Sequence, residues 1–286
     1  MIVIVLITIT LMKKAIDTLK NIPLSLRVAS AVGGILLLLV LVGEYPVLYP
    51  LVLALPAILV MVFTHHYTGV LSQKRWSKAR KVLHNFALEH GGVTNISFEP
   101  EEFISTVNRI GNLKRIGNIV LVNIGDRQYR IFNTNLDIRK SNARNVIRTQ
   151  FTVFELRLQS SMPHIYIDSQ HNHLGRSHLI GGYFESAERV RLEGGFENDF
   201  IIYADKQNLL DVWDILSPDI MEFLQSQGKD FNVEIINDRL YILKPKLVLS
   251  SVELERYLQT IEVITDRLQP RLDNYKSSSL ETSGMY

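Results

Sequence analysis

Two uncharged apolar runs near the start of the chain limit what it can become. VASAVGGILLLLVLVG covers residues 28–43 and VLYPLVLALPAILVMVF covers 47–63, with only Glu44-Tyr45-Pro46 between them. A helix reaching back to Pro23, with Arg27 snorkelling to the headgroups, rises roughly 31 Å by Gly43 at about 1.5 Å per residue, the thickness of a bilayer core. The second run has the minimum length for a crossing. Pro50 and Pro56 within it predict a kink, since a helix in lipid can re-satisfy the freed carbonyl locally. A connection this short makes the spans, 23–43 and 47–63, an antiparallel hairpin over 23–64. Gly33-Gly34, Ala29 and Ala31 are small enough to let its helices approach closely.

Both flanks of a hairpin face the same side, and here both are basic. Lys13, Lys14, Lys20 and Arg27 precede it, and Lys74, Arg75, Lys78, Arg80 and Lys81 follow it with no acid before Glu89. Positive charge near the spans marks the cytoplasmic side, so the expectation is a two-span cell-membrane protein with both termini in the cytoplasm and the GEYP turn outside. Arg27, Lys74, Arg75, Trp76, Lys78, Arg80 and Lys81 are the expected membrane-interface residues, Trp76 because its amphipathic ring suits the headgroup level. The bilayer is the first expected partner, and anionic headgroups are a further one for the basic cluster. The 1–22 segment is basic. Its opening run, MIVIVLITITL, is too short to span and has no positive region before it, which leaves either an interfacial segment or a start at Met12.

The rest of the chain alternates between strand and helix signals. From about Tyr67 to Gly91 the chain carries a helical apolar period ended by Gly91-Gly92. Residues 118–124, 128–138, 148–159 and 163–169 alternate with a period near two, and Gly125-Asp126 is a tight-turn signal, so 65–170 reads as a juxtamembrane helix and an antiparallel meander. Within 148–159, Phe151, Val153 and Glu155 share one side, and Thr152, Phe154, Leu156 and Leu158 share the other. Residues 171–185 read as a connector. Residues 186–269 read as a second module: two strands, two short helices with Pro218 early in the second and Gly228 after it, a hairpin turning at Asn237-Asp238, and a helix opened by the capping box Ser250-Ser251-Val252-Glu253. The tail, 270–286, is expected to be disordered after Pro270. The fold class expected is α+β: a transmembrane helical hairpin, then a cytoplasmic domain built from the meander and a mixed β/α module.

The succession SMPHIYIDS, RLEGGFENDFIIYA, LLDVWDILSPDIMEFL and VEIINDRLYIL resembles an uncharacterised family of membrane-anchored bacterial proteins with two N-terminal spans. The resemblance covers about residues 115–245. It implies the architecture just described and brings no activity or catalytic residues with it.

Strong catalytic motifs are absent. GNLKRIGN at 111–118 has neither the spacing nor the following lysine of a phosphate loop, and Gly181-Gly182 and Gly194-Gly195 lack the third glycine of a dinucleotide turn. With no cysteine, disulfides, thiolate zinc sites and a cysteine nucleophile are excluded. A net charge of +2 gives no footprint for nucleic acid. The acids Asp211 and Asp214 read as a solvated helix face beside Trp213. What remains is HNHLGRSH, 171–178: in an extended strand His171 and His173 point to one side, and Asp168 and His178 could complete a metal set. Against this, the polar, glycine-containing stretch reads as an exposed connector. The expectation is therefore a non-enzymatic module that binds a protein partner or organises the envelope, with no cofactor. The alternative is a membrane-associated, metal-dependent hydrolase using Asp168, His171, His173 and His178. Transport through the hairpin is disfavoured, because neither span carries an internal charge.

Overall fold

The computed structural model describes residues 49–139, 146–172, 187–190, 195–205 and 208–283, with backbone alone at 49–68, 138–139, 146–147, 160, 187–190 and 275–283. The first anticipated span, its GEYP turn and Arg27 lie outside these residues. Residues 49–63 of the second fall in helix α1, Tyr49–Glu89. From residue 69 onward, no helix among the described residues is long and apolar enough to cross a membrane. The chain divides into two units, Met1–Ser72 and Gln73–Tyr286. The first is described only as the opening part of α1. The second is an α+β domain on a seven-stranded antiparallel sheet.

From Trp76 onward α1 buries Trp76, Ala79, Leu83, Phe86 and Ala87, a three-to-four-residue stripe, while Lys74, Arg75, Lys78, Arg80 and Lys81 stay exposed. It ends as expected at the glycine pair. The Gly92 amide donates to Ala87 O at 2.7 Å and the Gly91 amide to Leu88 O, with Gly91 in the left-handed region at φ 62. Gly92 is fixed by packing instead, because a Cβ there would sit 2.4 Å from Leu121 O.

The strands are β1 (Val93–Thr94), β2 (Gly111–Ile124), β3 (Arg127–Arg139), β4 (Val146–Ser169), β5 (Ala187–Val190), β6 (Phe200–Asp205) and β7 (Asn232–Pro245). Gly125, at φ 59, makes the tight turn of the β2–β3 hairpin. The sheet order is β1-β2-β3-β4-β6-β5, with β7 also paired to β4. The two segments anticipated as separate strands, 148–159 and 163–169, are one 24-residue strand, β4. Its first half pairs with β3 and its last residues with β6, while β7 runs along its other edge. The anticipated hairpin at Asn237-Asp238 is likewise corrected. Residues 232–245 form one strand, and Asn237, at φ 53, sits opposite Met162 where the β4–β7 register shifts. Asn tolerates the left-handed conformation in a bulge as readily as in a turn, so the local signal does not separate the two. The expected division between a meander and a second module disappears for the same reason, since both build on β4.

One face of the sheet packs Phe154, Leu156, Ile165 and Ile167 of β4 against the helices α3 (Leu209–Ile215), α4 (Pro218–Phe223) and α5 (Ser251–Ser283) and against Leu83, Phe86 and Ala87 of α1. The opposite face packs Phe132, Phe151, Val153, Tyr166 and Tyr241 against Phe103 and Val107. Val107 lies in the short helix α2 (Thr106–Ile110). The expected two sides of 151–158 are thus the two faces of the sheet. The switch from even positions (154, 156) to odd ones (165, 167) on the helical face follows from the irregularity between Arg157 and Ile165.

The expected cap opens α5 at Ser250, whose Oγ accepts from the Glu253 amide at 3.2 Å, but the Glu253 carboxylate accepts at 3.3 Å from the Leu249 amide, one residue before the Ser250 amide that a full capping box uses. The expected stop at Pro270 does not occur, and α5 continues to Ser283. Pro270 removes one intrahelical donor, but Leu272 extends the stripe Leu254, Leu258, Ile261, Ile264 and Leu268 and is 3% exposed, so packing holds the helix together beyond the proline.

Candidate functional site

The described part of the Asp168–His178 set does not converge. Asp168 is buried near the end of β4, whereas His171 lies in the turn beyond and is half exposed. The His171 ring bonds through Nε2 to Asp199 Oδ1 at 2.6 Å. Asp199 also accepts from Lys229 Nζ at 2.6 Å and Gln225 Nε2 at 3.1 Å. The Lys229 bond, helped by His171 and Gln225, holds the Asp199 carboxyl below the usual range. His173 and His178 lie outside the described residues. Among the described residues no group of three His, Asp or Glu side chains is placed to hold a metal ion.

What the sequence reading missed is a polar patch in the interior of the Phe132–Tyr166 face. On β4, His164, Tyr166 and Asp168 alternate with Ile165 and Ile167. On β7, Asn232, Glu234 and Ile236 alternate with Val233 and Ile235. Glu234 is fully buried. It accepts from Ser105 Oγ at 2.5 Å, from Thr106 Oγ1 at 2.5 Å and from the Thr106 amide at 2.9 Å, with His164 Nε2 at 2.9 Å. A carboxylate 128 residues away thus caps the first turn of α2 and ties it to the sheet, a role that Ser105, at the N-cap position, does not fill with its own side chain. Such saturation makes Glu234 an anchor, not a reagent. The signal for it is the period-two placement of Asn232 and Glu234 among Val233, Ile235 and Ile236.

Asp168 is different. Asn232 lies beside it, but the Asn232 amide donates to Tyr166 Oη at 2.9 Å and its carbonyl accepts from the Ser169 amide at 3.0 Å. Neither Asp168 oxygen has a hydrogen-bond partner among the described residues. Burial therefore dominates and pushes its carboxyl up to about 7, against a smaller opposing influence from Asn232.

A third feature is open to solvent. A cleft of about 280 Å³ lies between α1, the chain after β1, and the irregular middle of β2, lined among others by Arg80, His84, Asn95, Arg115 and Asn118. Arg80 and His84 are one helical turn apart on α1. The β2–β3 register slips between Gly117 and Val120, with Asn118 at φ 58, and Asn95 is also left-handed, at φ 59. The Arg115 guanidinium lies 4.4 Å over the ring of Trp76. This corrects one expectation. Trp76 is 5% exposed and packs inside the domain with Ala79 and Leu247, because it heads the buried stripe of α1, so its ring is not at a headgroup surface. Its basic neighbours Lys74, Arg75, Lys78, Arg80 and Lys81 are exposed.

No family model matches the chain, and no curated protein matches it. Among solved structures, the mycobacterial trehalose monomycolate transport factor A, TtfA, aligns with a TM-score of 0.47 at 14% identity, over 66% of this chain and 94% of that one.

Proposed function

We propose that the chain is a membrane-anchored, non-enzymatic module of the bacterial envelope, held by spans at 23–43 and 47–63, whose α+β domain binds a protein partner on the cytoplasmic side. The anchoring rests on the two uncharged runs and their basic flanks. The binding role rests chiefly on α3, where Leu210 is 80% and Trp213 46% exposed, three residues apart and therefore neighbours on one surface. An exposed tryptophan is the kind of anchor that dominates protein interfaces, and Leu210 widens the apolar patch around it. Asp211 and Asp214 border the pair, which favours a partner with a basic rim. The interior acids lend no support to catalysis: Glu234 is saturated by hydrogen bonds, and Asp168 is sealed from solvent. No observation among the described residues favours the metal-dependent hydrolase.

The test is photo-crosslinking in native membranes from a photoreactive residue at position 210. The expected result is a discrete protein adduct that disappears with Trp213→Ala and is absent when the photoreactive residue replaces the exposed Glu222. Equal yields from both positions, or an adduct indifferent to Trp213→Ala, would contradict the proposal.

A further inference from the structure

We propose that the cleft between α1 and the β2 bulge is a binding site for a phosphate-type oxyanion. The inference concerns a different surface from α3 and does not depend on the partner-binding reading. Three observations carry it. First, beside its aliphatic residues the lining carries basic and polar side chains and no carboxylate: Arg80 and His84 come from α1 and Arg115 from β2, and among the described residues none of the three forms an ion pair with an acid. In a chain with 29 acids against 31 Lys and Arg, basic side chains facing one cavity with no acid among them leave a positive potential for an incoming anion. Second, Arg115 is pre-oriented. Stacking on the buried Trp76 holds its planar fork in place, so less side-chain freedom is lost when it grips two oxygens of a ligand. Third, the backbone on the far wall is irregular. Asn95 and Asn118 are both left-handed, and residues 118 and 119 fall between the ladder pairs Gly117–Asn133 and Val120–Ile131, so the regular strand pairing is interrupted at the cavity wall. Guanidinium groups from two elements, with an imidazole one helical turn from the first and the Asn95 and Asn118 segments lining the same cleft, suit a tetrahedral oxyanion carrying more than one negative charge. That group could belong to a soluble phosphate or to a phospholipid headgroup; the chemistry recognised is the same.

The natural reporter is Trp76, which lies under Arg115 and is one of two tryptophans in the chain. The full chain carrying Trp213→Phe, in uncharged detergent micelles, is titrated with inorganic phosphate at constant ionic strength while Trp76 emission is followed. In a second arm the same chain is reconstituted into phosphatidylcholine vesicles with and without phosphatidic acid. The expected result is a saturable change in emission whose half-saturation point rises at least tenfold with Arg80→Gln or Arg115→Gln and is unmoved by Lys74→Gln. Arg80 is exposed and the cation stacked on Trp76 is Arg115, so the Arg80 variant keeps the fold and the stacked reporter, which far-UV circular dichroism checks. A response to inorganic phosphate supports a soluble ligand, and a response to phosphatidic acid alone supports a headgroup. No response to either probe, or a response that Arg80→Gln leaves unchanged, overturns the proposal.

Discussion

A carboxyl raised to about 7 has a measurable consequence for Asp168. In the unfolded chain it ionises near 3.8, whereas in the fold it stays protonated up to about 7. Between those values the native state binds the extra proton, so stability falls as pH rises from about 4 to about 7, and above that the ionised buried group costs up to about 4 kcal/mol. Asp168→Asn should therefore unfold at higher urea than the parent chain at pH 8, and the advantage should vanish near pH 4. Parallel pH profiles for the two proteins would contradict this account of the site. Asp168 was legible in the sequence as an unusual residue, but for another reason: its closeness to three histidines suggested a ligand. Burial, which makes it unusual, is set by β6 and β7 on either side of β4, and both arrive more than 30 residues later. Glu234 was invisible for a related reason, since its partners Ser105 and Thr106 lie more than a hundred residues away. Trp76 shows a third limit, because a stripe of buried residues on a basic helix does not announce whether its cover is lipid or protein.

At the scale of elements, local patterns carried well wherever the period was clean. The two sides of 151–158, the glycine pair ending α1, the Gly125 turn and the Ser250 cap all follow from residues a few positions apart. The misreadings came from residues with two legitimate uses. Asn237 fits the irregular pairing of β7 with β4 as well as it would fit a turn, and what decides is that pairing. Pro270 would end an unsupported helix, but Leu272 packs one turn beyond Leu268 and α5 continues. That continuation can be measured. Leu272→Ala should destabilise the domain by about 2 kcal/mol, the lower end for a buried leucine near a helix end, while Val252→Ala, at a position 74% exposed on the same helix, should stay within about 0.5 kcal/mol. If urea unfolding gave the same midpoint for Leu272→Ala as for the parent, the helix would not be packed past the proline.

For the whole molecule, a single long strand explains why two apparent modules are one domain. β4 joins the β2–β3 hairpin on one edge to β7 on the other and takes β6 at its end. The helices cover one face, and α2, anchored by Glu234, helps cover the other. The proposed anchoring places this domain on the inner side of a membrane, presenting Leu210 and Trp213 on α3 and the Arg80–Arg115 cleft as separate surfaces. The absence of cysteine makes the native chain a clean background for single-cysteine labelling. With a membrane-impermeant maleimide, Glu44→Cys should label in intact cells, whereas Gln227→Cys, at an exposed position after α4, should label only once the membrane is permeabilised. Labelling of Gln227→Cys in intact cells, or protection of Glu44→Cys in them, would contradict an anchored domain facing the cytoplasm.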